Sequence, residues 1–177
     1  MARFVNVAAV QFQSESHRGA PDAAEVVLKE TREALESLRG YHLDLVLTSE
    51  GVEAVGQTVE TAEEGGSAGP FLQMYMDWAR SESCHVAGSV KLRDGGNTYN
   101  SIAFINPQGE IIGAYHKSNL TRGEIESGLT SGRGAVVLET EIGRLGGLVC
   151  FDLNFEWLRQ EYRVQKPDIL CFASMYH

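Results

Sequence analysis

The chain has 177 residues, 43% of them hydrophobic and 22% charged, a composition that fits one soluble globular domain with a sizeable core. Its formal net charge of −9 and its lack of a basic cluster argue against a nucleic-acid partner. The sequence shows neither a signal-peptide pattern nor an apolar run long enough to span a membrane. The three cysteines are scattered without CxxC spacing, so we expect no disulfides, no zinc site and a cytoplasmic location.

The first part of the chain alternates strand and helix patterns. Residues 4–11 predict a buried opening strand, and residues 43–49 predict a second one that ends at Glu50. Between them Pro21-Asp22 begins a helix, whose inner face carries Val27, Thr31, Ala34 and Leu38. The order strand, helix, strand favours a βαβ-like unit in an α/β fold.

The middle of the chain is rich in predicted strands. Residues 52–68 predict an exposed acidic loop with at most one helical turn, and residues 70–83 predict a helix. Three strands follow at residues 85–93, 99–105 and 111–116, joined by turns that contain glycine. Residues 118–134 then predict a long polar loop, a feature that in a compact domain is usually functional or disordered.

The last part predicts a hairpin, a helix and a strand. The hairpin pairs residues 135–140 with residues 144–150, and the helix runs from about residue 154 to residue 165. Residues 168–174 form the last predicted strand, of the buried type.

Three residues that can carry chemistry stand at the ends of predicted strands. Partial desolvation at a strand end makes a carboxylate such as Glu50 a better base, although a cap or a solvated turn residue is the alternative. An ammonium at Lys117 would favour a nearby thiolate and stabilise an oxyanion, although most lysines lie on the surface. Cys150 precedes a helix pattern, and helix N-termini lower thiol pKa values, although free cysteines are usually core residues.

The histidines leave a second arrangement open. His85 or His116 could pair with Cys150 as in thiol proteases, and His116 adjoins Lys117 with its side chain on the opposite strand face. Cys84 and Cys171 lie within or beside strands without a following turn, so we expect them to be structural. The residues alone do not choose between a Cys–His site and a Glu–Lys–Cys site.

Three segments resemble the nitrilase (carbon–nitrogen hydrolase) superfamily. They are Leu43-Asp44-Leu45-Val46-Leu47-Thr48-Ser49-Glu50, then Tyr99-Asn100-Ser101 through Gly109-Glu110 to Tyr115-His116-Lys117, and Gly146-Gly147-Leu148-Val149-Cys150-Phe151-Asp152. The opening at residues 5–12 is also typical of the family. The resemblance implies a four-layer αββα sandwich, with residues 1–177 as the N-terminal two-thirds of one domain. The remaining C-terminal part in the family completes the second sheet, lines part of the pocket and contributes to a dimer interface.

The resemblance also implies a role for each site residue. Glu50 is the general base, Lys117 the cation on the oxyanion side and Cys150 the nucleophile. Glu124 borders the site and positions the substrate or Lys117, and the backbone N–H of Phe151 joins the oxyanion hole. The implied reaction is hydrolysis of a small linear amide, carbamoyl amide or nitrile through a thioester, without a metal or organic cofactor.

One departure from the family pattern and two alternatives accompany this reading. After Asp152 the run is Leu153-Asn154-Phe155-Glu156-Trp157, where many members have Leu-Arg-Phe-Pro-Glu, so the resemblance does not fix pocket shape or substrate class. The alternatives are a fragment that keeps fold and assembly surfaces without turnover, and acyl transfer to an acceptor other than water. Expected partners are a small-molecule substrate and further copies of the chain, as a homodimer or higher oligomer, with no nucleic acid and no membrane.

Overall fold

Two β-sheets form the centre of the structure, a computed structural model that describes residues 4–11, 17–64 and 66–175. The larger sheet has the order β1 (Val7–Val10), β2 (Leu45–Thr48), β4 (His85–Asp94), β5 (Asn97–Ile105) and β6 (Ile111–His116), with β3 (Glu63–Glu64) paired to β4. The smaller sheet contains β7 (Val137–Thr140), β8 (Gly143–Val149) and β9 (Ile169–Ala173). Parallel pairing joins β1, β2 and β4 and also β8 and β9, while β4, β5 and β6 are antiparallel.

Helices cover the outer faces of the two sheets. On the larger sheet lie α1 (Ala23–Glu36), α2 (Gly51–Gly56) and α3 (Pro70–Glu82). Their apolar side chains share one core cluster with the residues of β2 and β4 that face the helices. On the smaller sheet α5 (Glu156–Gln165) packs Leu158 and Tyr162 against Leu148. The short α4 (Arg122–Glu126) lies in the loop after β6.

The two sheets pack directly against each other. Between them Ile102, Phe104 and Tyr115 of the larger sheet meet Leu145 and Val149 of the smaller one in a single buried cluster. The layers therefore follow the order helix, sheet, sheet, helix, and the predicted αββα sandwich is confirmed. Within the described ranges, no helix is long and apolar enough to cross a membrane.

The prediction of an exposed loop at residues 52–68 is wrong for the first part of that range, although Thr58, Glu60 and Thr61 are exposed. Residues 51–56 form α2, and Glu53 is 1% exposed although it is charged. Its carboxylate forms a buried ion pair with Lys91 of β4, so the charge that indicated exposure is neutralised inside the protein. Gly56 lets α2 approach α1 closely, because a Cβ there would lie 3.0 Å from Val27 Cγ1.

The opening strand differs from the prediction in length and burial. It is confined to Val7–Val10 and pairs only with β2, at the edge of the larger sheet. Phe4 is 94% exposed and Val7 is 58% exposed, so the prediction of a buried strand over residues 4–11 is wrong. A run of apolar residues does not distinguish an edge strand from a central one.

Candidate active site

Strand ends bring the three predicted residues to one region of the fold. Glu50 follows β2 and stands at the N-cap of α2, where its side chain makes no capping hydrogen bond. Lys117 follows β6, and its backbone N–H donates to the Asn100 carbonyl on β5 at 2.8 Å. Cys150 follows β8 and begins a five-residue 3₁₀ turn, Cys150–Asn154.

Lys117 is buried between two carboxylates. Its residue is 1% exposed, and its ammonium donates to Glu50 Oε1 and to Glu124 Oε1, each at 2.8 Å. Burial opposes the charge, but Glu50 and Glu124 outweigh it and hold the pKa of Lys117 above its ordinary value. Lys117 is therefore a fixed cation at neutral pH, and these contacts use two of its three N–H donors.

Glu124 is held by its own helix as well as by Lys117. It forms a capping box with Thr121 at the start of α4, in which its Oε2 accepts from the Thr121 backbone N–H at 2.7 Å. Burial raises the pKa of Glu124, but Lys117, Thr121 and Asn100 together lower it below its ordinary value. The carboxylate is thus kept ionised beside the ammonium.

Two further groups hold the carboxylates, and neither was assigned a role from the sequence. The Asn100 side-chain amide donates to Glu50 Oε1 at 3.0 Å and to Glu124 Oε1 at 2.8 Å. The backbone N–H of Met175, just beyond β9, donates to Glu50 Oε2 at 3.0 Å. Asn100 stands in the Tyr99-Asn100-Ser101 run that carried the family resemblance, and this is the only signal that could have indicated it.

The thiol of Cys150 is half-buried on a strained backbone. Its φ of 43° lies in the left-handed region, which favours glycine, and such strain is often found at functional sites. Burial and the neighbouring Glu50 carboxylate raise the pKa of the Cys150 thiol, against the opposing charge of Lys117. The expectation that a helix N-terminus lowers this pKa is wrong, because the turn is short and a carboxylate lies next to the sulfur.

Asp152 fastens the turn that carries Cys150. It is fully buried, with its Oδ2 accepting from the Tyr115 hydroxyl at 2.7 Å and from the Val149 N–H at 3.2 Å. Its Oδ1 accepts from the backbone and the side-chain amide of Asn119, at 2.7 and 3.0 Å. Since Asn119 lies two residues after Lys117, this carboxylate links the segments of the nucleophile and the cation.

The histidines occupy other surroundings. His116 stacks on the Tyr99 ring with centroids 4.2 Å apart, and its Nδ1 lies 2.8 Å from the Ser101 hydroxyl. His85 begins β4 with 2% of its surface exposed, and its Nε2 lies 3.5 Å from Glu141 Oε2. The groups that perturb the Cys150 thiol include Glu50 and Lys117. This geometry favours the Glu–Lys–Cys arrangement over a Cys–His pair.

The two other cysteines are core residues, as expected. Cys84 is 1% exposed and Cys171 is 2% exposed, and burial raises the pKa of each thiol to about 12. Phe151, after the candidate nucleophile, is partly exposed and packs edge-on against Phe155 with ring centroids 5.2 Å apart. The role of the Phe151 N–H as an oxyanion donor stays a prediction.

A cavity of about 530 Å³ adjoins the carboxylate side of the site. Its walls include Glu124 and the buried pair Glu53 and Lys91, together with Gln57 and Thr121. The lining is therefore polar enough to bind a small ligand with hydrogen-bonding groups. Among the described residues, no three or more His, Cys, Asp or Glu side chains are grouped so that they could hold a metal ion.

The chain as a whole matches a known protein family. A family model described as carbon-nitrogen hydrolase matches residues 6–177, and the chain belongs to this family. An Arabidopsis thaliana protein named "Omega-amidase, chloroplastic" is 25% identical over 127 residues, a match covering 67% of this chain and 34% of that protein. The "2-oxoglutaramate amidase" of Bacillus subtilis (strain 168) is 33% identical over 101 residues, covering 55% of this chain and 38% of the relative.

Solved structures share the architecture. A carbon–nitrogen hydrolase superfamily protein from Xanthomonas campestris superposes with a TM-score of 0.73 at 23% identity, covering 97% of this chain and 63% of that one. A nitrilase-superfamily amidase mutant from Nesterenkonia superposes with a TM-score of 0.76 at 16% identity, covering 98% and 66%. At such identities the likeness shows the fold. The chain spans less than two-thirds of the length of these relatives.

Proposed function

We propose that the chain carries a hydrolase that cleaves the non-peptide carbon–nitrogen bond of a small linear amide through a cysteine thioester. The observation that carries this proposal is the buried ammonium of Lys117, 2.8 Å from carboxylate oxygens of both Glu50 and Glu124. The charges of Glu50 and Lys117 also act on the pKa of the nearby Cys150 thiol. A base, a fixed cation and a nucleophile are the three groups that acyl transfer through a thiol needs.

In the proposed first half-reaction, Glu50 takes the proton of Cys150 as the sulfur attacks the amide carbon. The raised pKa of the thiol keeps it protonated in the free enzyme, so the adjacent carboxylate removes the proton during attack rather than before it. Lys117 and the Phe151 N–H hold the charge that develops on the carbonyl oxygen. Glu50 then returns the proton to the departing nitrogen, and ammonia leaves behind a thioester.

In the second half-reaction, water replaces the sulfur. Glu50, again a carboxylate, takes a proton from water, which adds to the thioester carbon while Lys117 holds the oxyanion. Cys150 leaves as the thiol after receiving that proton, and a carboxylic acid is released. The overall balance is one amide and one water consumed, and one acid and one ammonia formed.

A terminal amide on a short polar chain is the substrate class we favour over nitriles and carbamoyl amides. The relatives named for omega-amidase and 2-oxoglutaramate amidase activity support this choice.

Ammonia release tests the proposal directly. The purified chain is assayed with 2-oxoglutaramate, short aliphatic amides, a carbamoyl amide and a nitrile, beside its Cys150→Ala and Cys171→Ala variants. We expect ammonia and acid in equal amounts, loss of both in Cys150→Ala, and retention in Cys171→Ala, which changes a buried thiol on the next strand. Equal activity in Cys150→Ala would contradict the proposal.

The same assay separates the alternatives. A folded chain that releases no ammonia from any substrate would favour the fragment that keeps only fold and assembly surfaces. An acyl product on an added amine, in place of the acid, would favour transfer. Light scattering on these preparations tests the proposed homodimer or higher oligomer, which is supported by exposed apolar side chains at Trp157 and Val164 of α5.

A further inference from the structure

We propose that Asn100 is a positioning residue of this site, whose side-chain amide holds the Glu50 and Glu124 carboxylates in place around Lys117. This proposal rests on the proposed function, since it assigns Asn100 a part in the same reaction. Asn100 does not touch the reacting atoms in this arrangement; it acts through the two carboxylates.

The geometry is a closed ring of four polar groups. Glu50 Oε1 accepts from Asn100 Nδ2 at 3.0 Å and from Lys117 Nζ at 2.8 Å. Glu124 Oε1 accepts from the same two nitrogens, each at 2.8 Å. Both N–H groups of the amide are therefore used, one for each carboxylate. Asn100 thus joins the proposed base to the second glutamate from one side, and Lys117 joins them from the other.

The unpaired oxygen of Asn100 points to the same conclusion. Asn100 is 1% exposed, and among the described residues its Oδ1 is buried without a hydrogen-bond partner. A buried amide with an unpaired acceptor is unfavourable, and a native structure that contains one needs an explanation. The two carboxylates bind both N–H groups of the amide and so fix its direction, which leaves the oxygen facing no donor among the described residues.

Charge explains why an amide suits this position. Two carboxylates face one ammonium, so the ring carries an excess negative charge, and Glu53 and Lys91 lie close behind it as a neutral pair. A neutral amide supplies two N–H donors to that charge without altering it. An aspartate there would add a third carboxylate, and a leucine would supply no donor.

The variants Asn100→Asp and Asn100→Leu are expected to change the pKa and the alkylation rate of the Cys150 thiol in opposite directions. In Asn100→Asp the added negative charge reaches Cys150 through Glu50, so the thiol pKa rises and alkylation by iodoacetamide at a fixed pH slows. In Asn100→Leu one carboxylate takes up a proton for want of a donor, so the site becomes less negative and alkylation becomes faster. We expect changes of about threefold or more, which correspond to roughly half a pKa unit.

The experiment measures the alkylation rate of Cys150 against pH by peptide mass spectrometry, which separates it from Cys84 and Cys171. Asn106→Asp is the matched control, because Asn106 hydrogen-bonds Glu110 in the turn after β5, outside the site. The control is expected to keep the wild-type profile. If Asn100 has a purely structural role, the alkylation profile of Cys150 changes in the same direction in both variants or stays unchanged in both. Either result overturns the proposal.

A second readout keeps the two proposals separate. The kcat/KM for amide hydrolysis is expected to fall in Asn100→Leu even though its thiol reacts faster with iodoacetamide, because the base is no longer held. Alkylation does not require turnover, so it tests Asn100 even if the chain hydrolyses no amide. If Asn100→Leu and Asn100→Asp fail to fold while folded Asn100→Ser matches the wild-type profile, Asn100 is a structural residue and the proposal fails.

Discussion

Replacing Asp152 by alanine is expected to destabilise the fold strongly, because this buried carboxylate accepts four hydrogen bonds. The Tyr115 hydroxyl keeps a second contact, with Ser118 Oγ at 3.3 Å, but the Val149 and Asn119 backbone N–H groups lose their acceptor. Each unpaired buried donor costs about 1–3 kcal/mol. Burial raises the pKa of Asp152, so part of this loss is offset by removing a desolvated charge.

The net loss is therefore about 3 kcal/mol in the free energy of unfolding, which for a chain of this length lowers Tm by roughly 6–12 °C. Asp152→Asn retains one acceptor oxygen and should lose about half as much. Denaturant titration followed by tryptophan fluorescence measures both values, with a shift in midpoint at constant slope. Asp168→Ala is the matched control, because Asp168 also accepts a backbone N–H, from Arg144 at 2.8 Å, but is exposed. If Asp152→Ala lies within about 1 kcal/mol of the wild type, the reasoning is refuted.

Three further predictions concern the site and its surroundings. Because burial and Glu50 raise the pKa of the Cys150 thiol, Glu50→Gln should speed its alkylation at a given pH while abolishing amide hydrolysis; slower alkylation would contradict this. Lys91→Met leaves Glu53 buried without its partner and should cost about 3–5 kcal/mol by urea titration, more than the double variant with Glu53→Gln. Gly147→Ala would place a Cβ 2.5 Å from the Cβ of Tyr115 on β6, and should lower the free energy of unfolding by about 1–3 kcal/mol. An unchanged midpoint in urea titration would contradict this prediction.

The sequence predicted best those elements whose apolar residues form a clear helix face or an apolar strand run. The helix expected at residues 70–83 is α3, and its buried side chains include Phe71, Met74, Tyr75 and Trp78. The strands expected at residues 85–93 and 111–116 are β4 and β6, with boundaries within one residue. The apolar residues of α3 pack in one core cluster, whereas β4 and β6 contribute to the clusters on both faces of the sheet. In each case the local pattern and the tertiary packing agree.

The sequence failed where burial depends on a distant partner. Glu53 and Lys91 are 38 positions apart, and each alone indicates a solvated surface. Their pairing allows the charged Glu53 to be buried beside Val52 and Val55 in α2, and pairing between distant residues is not encoded in a local pattern. Asp152 is similar, since its acceptor role depends on Tyr115 and Asn119, which precede it by 37 and 33 positions.

The direction of the Cys150 pKa shows the same limit at the site itself. The strand-to-turn position was read correctly from the sequence, and it suggested a lowered value through the helix dipole. Burial raises the pKa most, and the charged neighbours Glu50, which raises it further, and Lys117, which opposes the rise, come from two other strand ends. Chain order indicated that these three residue types were present, but the balance of burial and charge between them required the folded arrangement.

Hydrogen bonding also distinguishes Glu50 from Glu124, the two glutamates beside Lys117. Glu124 uses Oε1 for Lys117 and Asn100 and Oε2 for two Thr121 donors, and its pKa is lowered, which makes it a poor proton acceptor. Glu50 shares Lys117 and Asn100 through Oε1, but its Oε2 accepts only the Met175 N–H among the described contacts. A carboxylate oxygen that accepts one hydrogen bond, in the residue next to the Cys150 thiol, is placed to take part in proton transfer. The difference in hydrogen bonding therefore supports Glu50 as the proposed base and leaves Glu124 to hold the cation.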